Sequence, residues 1–186
     1  MKLCRVMSVL FLLFPVLAWA HNFVVGQTVT PVSITDRGEQ LLRNGIFSYQ
    51  PWNSSELAGK VRVVQYIAGR TSAKKENSLL VGAIKNAQFP GDRFQPTTIV
   101  NTDDSIPGTG YFVRKKIEKN QRRYPWAQFI IDSNGIGRKA WQLKEESSTI
   151  LVLDKQGQVQ WAKDGALTPQ EVRQVMSRVA ELLNDQ

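Results

Sequence analysis

The sequence predicts an α/β fold, on three observations. Short apolar, β-branched runs alternate with stretches whose apolar residues recur every three or four positions. Gly, Pro, Asn or Asp bound most of these segments. The composition is that of a globular protein, with 186 residues, 42% hydrophobic and 22% charged, long enough for one domain with a substantial core.

Residues 1–20 stand apart from that domain. Lys2 and Arg5 make a short basic start, Val6 to Leu17 is almost wholly apolar, and Ala18-Trp19-Ala20 is a small-x-small cleavage pattern. This predicts a secretory signal peptide cleaved after Ala20, followed by a domain over residues 21–186. The apolar run is shorter than the ~20 residues of a spanning helix. No later stretch approaches that length, so no transmembrane segment is expected after cleavage. Cys4 lies in the basic start and not at the cleavage point, so no lipid anchor is expected. Removing residues 1–20 takes away Lys2, Arg5 and Cys4, so the formal net charge falls from +8 to +6 and the cysteine count from one to zero. A chain without cysteine has no disulfide, no CxxC pair and no thiolate zinc site.

The elements are expected as follows. Val32 to Thr35 reads as a strand, Asp36-Arg37-Gly38 as a turn, and Glu39 to Leu42 as the return strand. Asn53 to Leu57 is a short helical turn. Val61 to Ile67 is a buried strand, and Ala68 to Ser72 turns it into a helix over Ala73 to Ala87. Leu79, Leu80, Ala83, Ile84 and Ala87 give that helix an apolar stripe, and Pro90-Gly91 stops it. Thr97 to Asn101 is the next strand. Tyr111 to Glu118 is helical, with a basic face running on to Arg123. Ala127 to Ile131 is a strand ending in a turn at Asp132. Thr149 to Leu153 and Gln158 to Ala162 form a hairpin around Asp154 to Gly157. Thr168 caps the last helix, with Pro169 at its first position and Glu171 completing a capping box. Val172, Val175, Met176, Val179, Leu182 and Leu183 line one face of it.

This order resembles the thioredoxin fold in its peroxiredoxin-like form: a central mixed sheet flanked by helices, with an N-terminal β-hairpin extension. Gly26 to Leu42 is similar to the opening strand–turn–strand of those proteins. Leu57 to Val64 is similar to the approach to their first central strand, and Ser148 to Gly157 to the strand and turn after their cis-proline. The strings Ile67-Ala68-Gly69-Arg70-Thr71-Ser72-Ala73-Lys74, Ile99 to Asp104, Tyr124 to Ile130, Trp141-Gln142-Leu143 and Val159 to Pro169 resemble the YtfJ family. That resemblance implies an exported bacterial protein of the periplasm with no settled activity. A transcriptional-regulator label, carried by some members, conflicts with a signal peptide.

A thioredoxin-like redox site needs a thiolate at a helix N-terminus, where the dipole and free N–H groups lower the thiol pKa. The resemblance puts Thr71-Ser72-Ala73-Lys74 there, with Thr71 and Lys74 in the two cysteine positions and Ser148 in that of the cis-proline. No thiol-disulfide oxidoreductase or peroxidase activity is therefore expected. Two readings remain. One is a non-catalytic binding or adaptor protein for a periplasmic peptide, protein or anionic ligand, contacted by Arg70, Thr71, Ser72, Lys74 and Ser148. The other is an enzyme with non-thiol chemistry, using Thr71 or Ser72 as a nucleophile beside a positioned base. Neither calls for a cofactor.

Other groupings have simpler readings. Asp103-Asp104 and Asp132 suit strand ends and turns, and His21 has no companion ligands for copper, so no metal is expected. The run Arg114-Lys115-Lys116, Lys119, Arg122-Arg123 beside Tyr124 and Trp126 reads as a solvated helix face, with an anionic surface as its alternative partner. No nucleic-acid motif accompanies it, and an exported chain is not expected to bind nucleic acid. Trp126, Trp141 and Trp161 read as strand-side packing, and Asn53-Ser54-Ser55 as a turn rather than a used glycosylation site.

Overall fold

The computed structural model describes residues 21–185. The signal peptide expected over residues 1–20 lies outside the described residues. Strands β1 (Ser33–Arg43) and β2 (Ile46–Asn53) form an N-terminal hairpin. Strands β3 (Arg62–Ala68), β4 (Thr97–Asn101) and β5 (Gln128–Asp132) are mutually parallel. Strands β6 (Ser148–Leu153) and β7 (Val159–Asp164) complete the set. All seven make one mixed sheet in the order β2-β1-β5-β4-β3-β6-β7. Helices α1 (Thr71–Glu76) and α2 (Ser78–Ala87) connect β3 to β4, and α3 (Gly110–Arg123) connects β4 to β5. Helix α4 (Ile136–Trp141) precedes β6, and α5 (Pro169–Asn184) follows β7.

Successive strand residues point to opposite faces, and β3 sets the two layers. Val64 and Tyr66 pack with Ile99, Ile130 and Leu151 beneath Trp141 of α4 and the N-terminal Phe23 and Val29. Val63 faces the other way, with Ile150 and Val152, beneath Leu80 and Ile84 of α2 and Val172, Val175 and Val179 of α5. On that second face Ile67, Val100, Phe129 and Ile131 pack with Ile117 of α3 as a cluster of their own.

Strand β3 begins on a buried cation. Arg62 Nε donates to Leu57 O (2.9 Å), Nη1 to Thr97 Oγ1 and Gln128 Oε1 (2.8 Å each), and Nη2 to Glu56 O (2.9 Å). Gln128 Nε2 in turn donates to Glu39 Oε1 (3.1 Å). Burial pushes the guanidinium pKa down, and Glu39 and Glu56 oppose that shift. Such a group is tolerated inside because its donors are matched.

Three local expectations change. Strand β1 runs unbroken through Asp36-Arg37-Gly38, and the return strand is Ile46–Asn53 rather than Glu39–Leu42. The chain reverses at Asn44-Gly45, at φ 51° and 79°, the positive pair that a type I′ hairpin turn requires. Gly38 instead marks an irregularity in the β1–β2 register, where a Cβ would run into the Gln50 carbonyl oxygen. The helix expected over Ala73 to Ala87 starts at Thr71 and is broken at Asn77. Helix α4 has no counterpart in the sequence reading, because its six residues span fewer than two turns.

Helix α5 starts as its sequence requires. Thr168 Oγ1 accepts from Glu171 N (3.2 Å), and Thr168 N donates to Glu171 Oε2 (2.7 Å). The Lys163 ammonium, 2.7 Å from Glu171 Oε2, is the main cause that holds the Glu171 carboxyl at about 2, with the Thr168 amide second. A carboxyl lowered on folding stabilises above its unfolded value and loses that contribution as it is protonated. Glu171 should therefore add stability above pH 4.5 that fades as pH falls towards 2. Urea unfolding of Glu171→Gln across this range should show a shallower acid loss than the parent chain; superimposable profiles would contradict the assignment.

Candidate functional site

Strand β3 runs into α1 through Gly69-Arg70. A Cβ on Gly69 would lie 3.0 Å from the Asn101 carbonyl oxygen, the acceptor of the Gly69 N–H at 2.8 Å. This tight crossing sets where Arg70 leaves the sheet. Arg70 Nη2 pairs with Glu146 Oε1 (2.9 Å) and Asp104 Oδ1 (3.3 Å), and Nε donates to Asp104 O (3.1 Å). Its charge is thus already matched by two carboxylates. Thr71 and Ser72 are exposed. Neither hydroxyl is hydrogen-bonded to an acid or base among the described residues. Lys74 is half-buried; burial pushes its ammonium pKa down, and repulsion from Lys116 adds to the shift.

Helix α1 ends after six residues because of Asn77. That side chain is buried at 1% exposure. Its Nδ2 donates to Ser148 Oγ (2.8 Å) and Gly165 O (3.2 Å), and its Oδ1 accepts from Leu167 N (3.0 Å). Asn backbone and side chain readily leave helical geometry for such competing bonds. Ser148 Oγ donates onward to Glu76 Oε2 (2.7 Å). Ser148 is therefore a buried joint beneath α1, and no peptide bond among the described residues is cis.

On the second face of the sheet, between α2 and α3, lies a cavity of about 340 Å³. Val63, Gln65, Ile67, Thr98, Val100 and Phe129 make its floor, and the inner sides of α2 and α3 make its walls. It opens where the cluster under α2 and α5 fails to meet the cluster under α3. Of the predicted site residues, Arg70, Thr71 and Lys74 line this cavity, whereas Ser72 and Ser148 do not. Lys85, Lys116 and Arg123 also line it, together with Trp126. The basic run along the sequence contains Lys116 and Arg123, with Trp126 beside it, and carries no link to Lys74. No local pattern joins residues on two different helices.

The residues weighed as a metal site serve the fold. Asp132 is fully buried; Oδ2 accepts from the Tyr66 hydroxyl (2.8 Å) and Gly137 N (2.8 Å), and Oδ1 from Ile136 N (2.9 Å). It thereby caps α4, while Tyr66 Oη accepts from Arg138 N (2.9 Å). Burial first, and then the Asp132 charge, push the phenol pKa up. Asp104 is held by Arg70 and by Glu146 N. His21 packs on Phe23, with ring centroids 5.0 Å apart.

The profile of the family described as "Bacterial protein of unknown function (YtfJ_HI0045)" matches residues 23–182. The chain is 60% identical over 183 residues to "Uncharacterized protein YtfJ" of Escherichia coli (strain K12), covering 98% of this chain and 100% of that one. It is 41% identical over 161 residues to an uncharacterized protein of Haemophilus influenzae (strain ATCC 51907 / DSM 11121 / KW20 / Rd), covering 87% and 88%. It is also similar to the crystal structure of the thioredoxin domain of a thiol-disulfide oxidoreductase from Bacteroides vulgatus. The TM-score is 0.53 at 11% identity, over 84% of this chain and 98% of that one. At such identity the likeness shows the fold alone, and that fold is thioredoxin-like.

Replacing Asn77 by Ala leaves the buried Leu167 N–H without its acceptor and takes a donor from Ser148 Oγ and Gly165 O. Such a loss costs about 2 kcal/mol, and Asn77→Ala should lower the urea-unfolding free energy by about that amount. The Leu167 amide should also exchange its hydrogen faster. Unchanged protection at Leu167 would show that the α1–α2 break is held by something else.

Proposed function

The chain belongs to the YtfJ family of bacterial proteins and has a thioredoxin-like fold, and on that premise we propose that it is a periplasmic binding protein without thiol chemistry. Its ligand would be a peptide, a protein or an anionic ligand, met at the cavity mouth formed by Arg70, Thr71 and Lys74. The observation that carries this reading is the content of the fold's usual reactive position. The family resemblance aligns Thr71-Ser72-Ala73-Lys74 with that position, and the single cysteine of the whole chain is Cys4. A cavity within the ordinary size range of ligand sites opens directly beside it.

Export is supported by the pattern from Lys2 to Ala20. Among the described residues no helix is long and apolar enough to cross a membrane. Hydroxyl chemistry has weaker support, because a Thr or Ser nucleophile needs a hydrogen-bonded base and neither Thr71 nor Ser72 has one among the described residues.

Purified protein should show no thiol-dependent reductase, isomerase or peroxidase turnover. Turnover that disappears in Thr71→Ala or Lys74→Ala would overturn the reading. In periplasmic crosslinking, the Arg70→Ala/Lys74→Ala variant should lose a partner that the parent chain retains. An identical partner set for both chains would exclude this surface as the contact.

A further inference from the structure

We propose that the cavity between α2 and α3 binds a single-chain amphiphile with a carboxylate head and an apolar tail of about ten carbons. This rests on the binding reading above and names its ligand class.

Packing gives the first reason. Protein interiors pack about as densely as organic crystals, yet the second face of this sheet is left open between its two apolar clusters. The space of about 340 Å³ holds about eleven groups at the ~30 Å³ that one water occupies in the liquid. Gln65 and Thr98 interrupt the otherwise apolar floor. They alternate with Val63, Ile67 and Val100 on the same face of adjacent parallel strands. Neither side chain is hydrogen-bonded to another described residue. An apolar cavity with a few unmatched polar groups is the usual form of a small-ligand site.

Charge gives the second. Five cations line the cavity and no Asp or Glu does. Arg70 is matched by Asp104 and Glu146. Lys74, Lys85, Lys116 and Arg123 form no ion pair among the described residues. Lys74 also gives up hydration and faces the charge of Lys116. An anionic head between these two amines removes a repulsion and restores a partner to a desolvated charge. A cationic or neutral head does neither.

Backbone accounting favours an acyl tail over a peptide. The edges of the sheet are β2 and β7, whereas β3, β4 and β5 beneath the cavity already have strands on both sides. A peptide laid across them finds no free strand edge to pair with, and its buried amides would go unmatched. A hydrocarbon tail carries no such groups.

The test is titration calorimetry of the mature chain with three probes at concentrations below micelle formation. Decanoate has tail and head, butyrate a truncated tail, and decyltrimethylammonium the same tail with a cation. Decanoate should bind at one site and weaken as salt is raised, and butyrate should bind at least about a hundredfold more weakly. Decyltrimethylammonium should show no saturable binding. Lys74→Gln/Lys116→Gln should weaken decanoate about tenfold. Val113→Trp, which fills the cavity from α3, should abolish binding while keeping the parent circular dichroism.

Absent decanoate binding would overturn the proposal, as would equal binding of the cationic probe or parent-like affinity in the lysine variant. If a variant does not fold, the three probes on the parent chain still decide. An apolar peptide with a free C-terminal carboxylate serves as a fourth probe, and its binding in place of decanoate would overturn the ligand class. The crosslinking comparison is read separately. Loss of a protein partner with no decanoate binding would remove this ligand and leave the binding reading standing; failure of both would remove both.

Discussion

The carboxamide of Asn77 governs how the elements around the candidate site are set. Its three hydrogen bonds reach β6, the end of β7 and the segment leading into α5. Apolar contacts between α2 and α5 also join these parts, but burial of apolar surface has no preferred direction. The hydrogen bonds supply direction. They require a break between α1 and α2, and they tie the start of α2 to the segments that lead into α5. Helix α2 then shares one apolar cluster with α5, and α3 keeps another. The opening between α2 and α3 follows from that division.

The same bonds change the meaning of Ser148. The family resemblance places Ser148 at a position expected to face a ligand. Here its hydroxyl lies between Asn77 and Glu76, so its polarity is satisfied inside the fold. Arg70 is similar, since two carboxylates occupy its guanidinium. At the start of α1, Thr71 and Ser72 remain exposed and Lys74 has no ion pair among the described residues. The start of α1 thus meets an apolar cavity with a cationic lining.

The buried polar groups elsewhere are structural for a common reason. Arg62, Tyr66 and Asp132 would be costly inside if unmatched, and each is met by specific partners from several elements. Arg62 gathers β3, β4, β5 and the turn after β2. Asp132 and Tyr66 hold α4 against the same face. All three lie on the face of the sheet that carries α4, the one opposite the cavity.

The sequence by itself determined the fold class, the capped last helix, the strand at Thr97 to Asn101 and the absence of any cysteine but Cys4. Each of these is written within a few neighbouring residues, as apolar spacing, as a cap or as the identity of a side chain. The hairpin turn was equally local, since Asn44-Gly45 is a stronger turn signal than Asp36-Arg37-Gly38, whose glycine serves a close approach of two strands instead. The tertiary structure alone decided that Asn77 breaks the expected helix just ahead of its apolar stripe. It also decided that Ser148 is buried and that Lys74 shares a cavity with Lys116. The reason is distance along the chain: Asn77 meets its partners 71 to 90 residues away. Only the order of strands in the sheet brings such residues together.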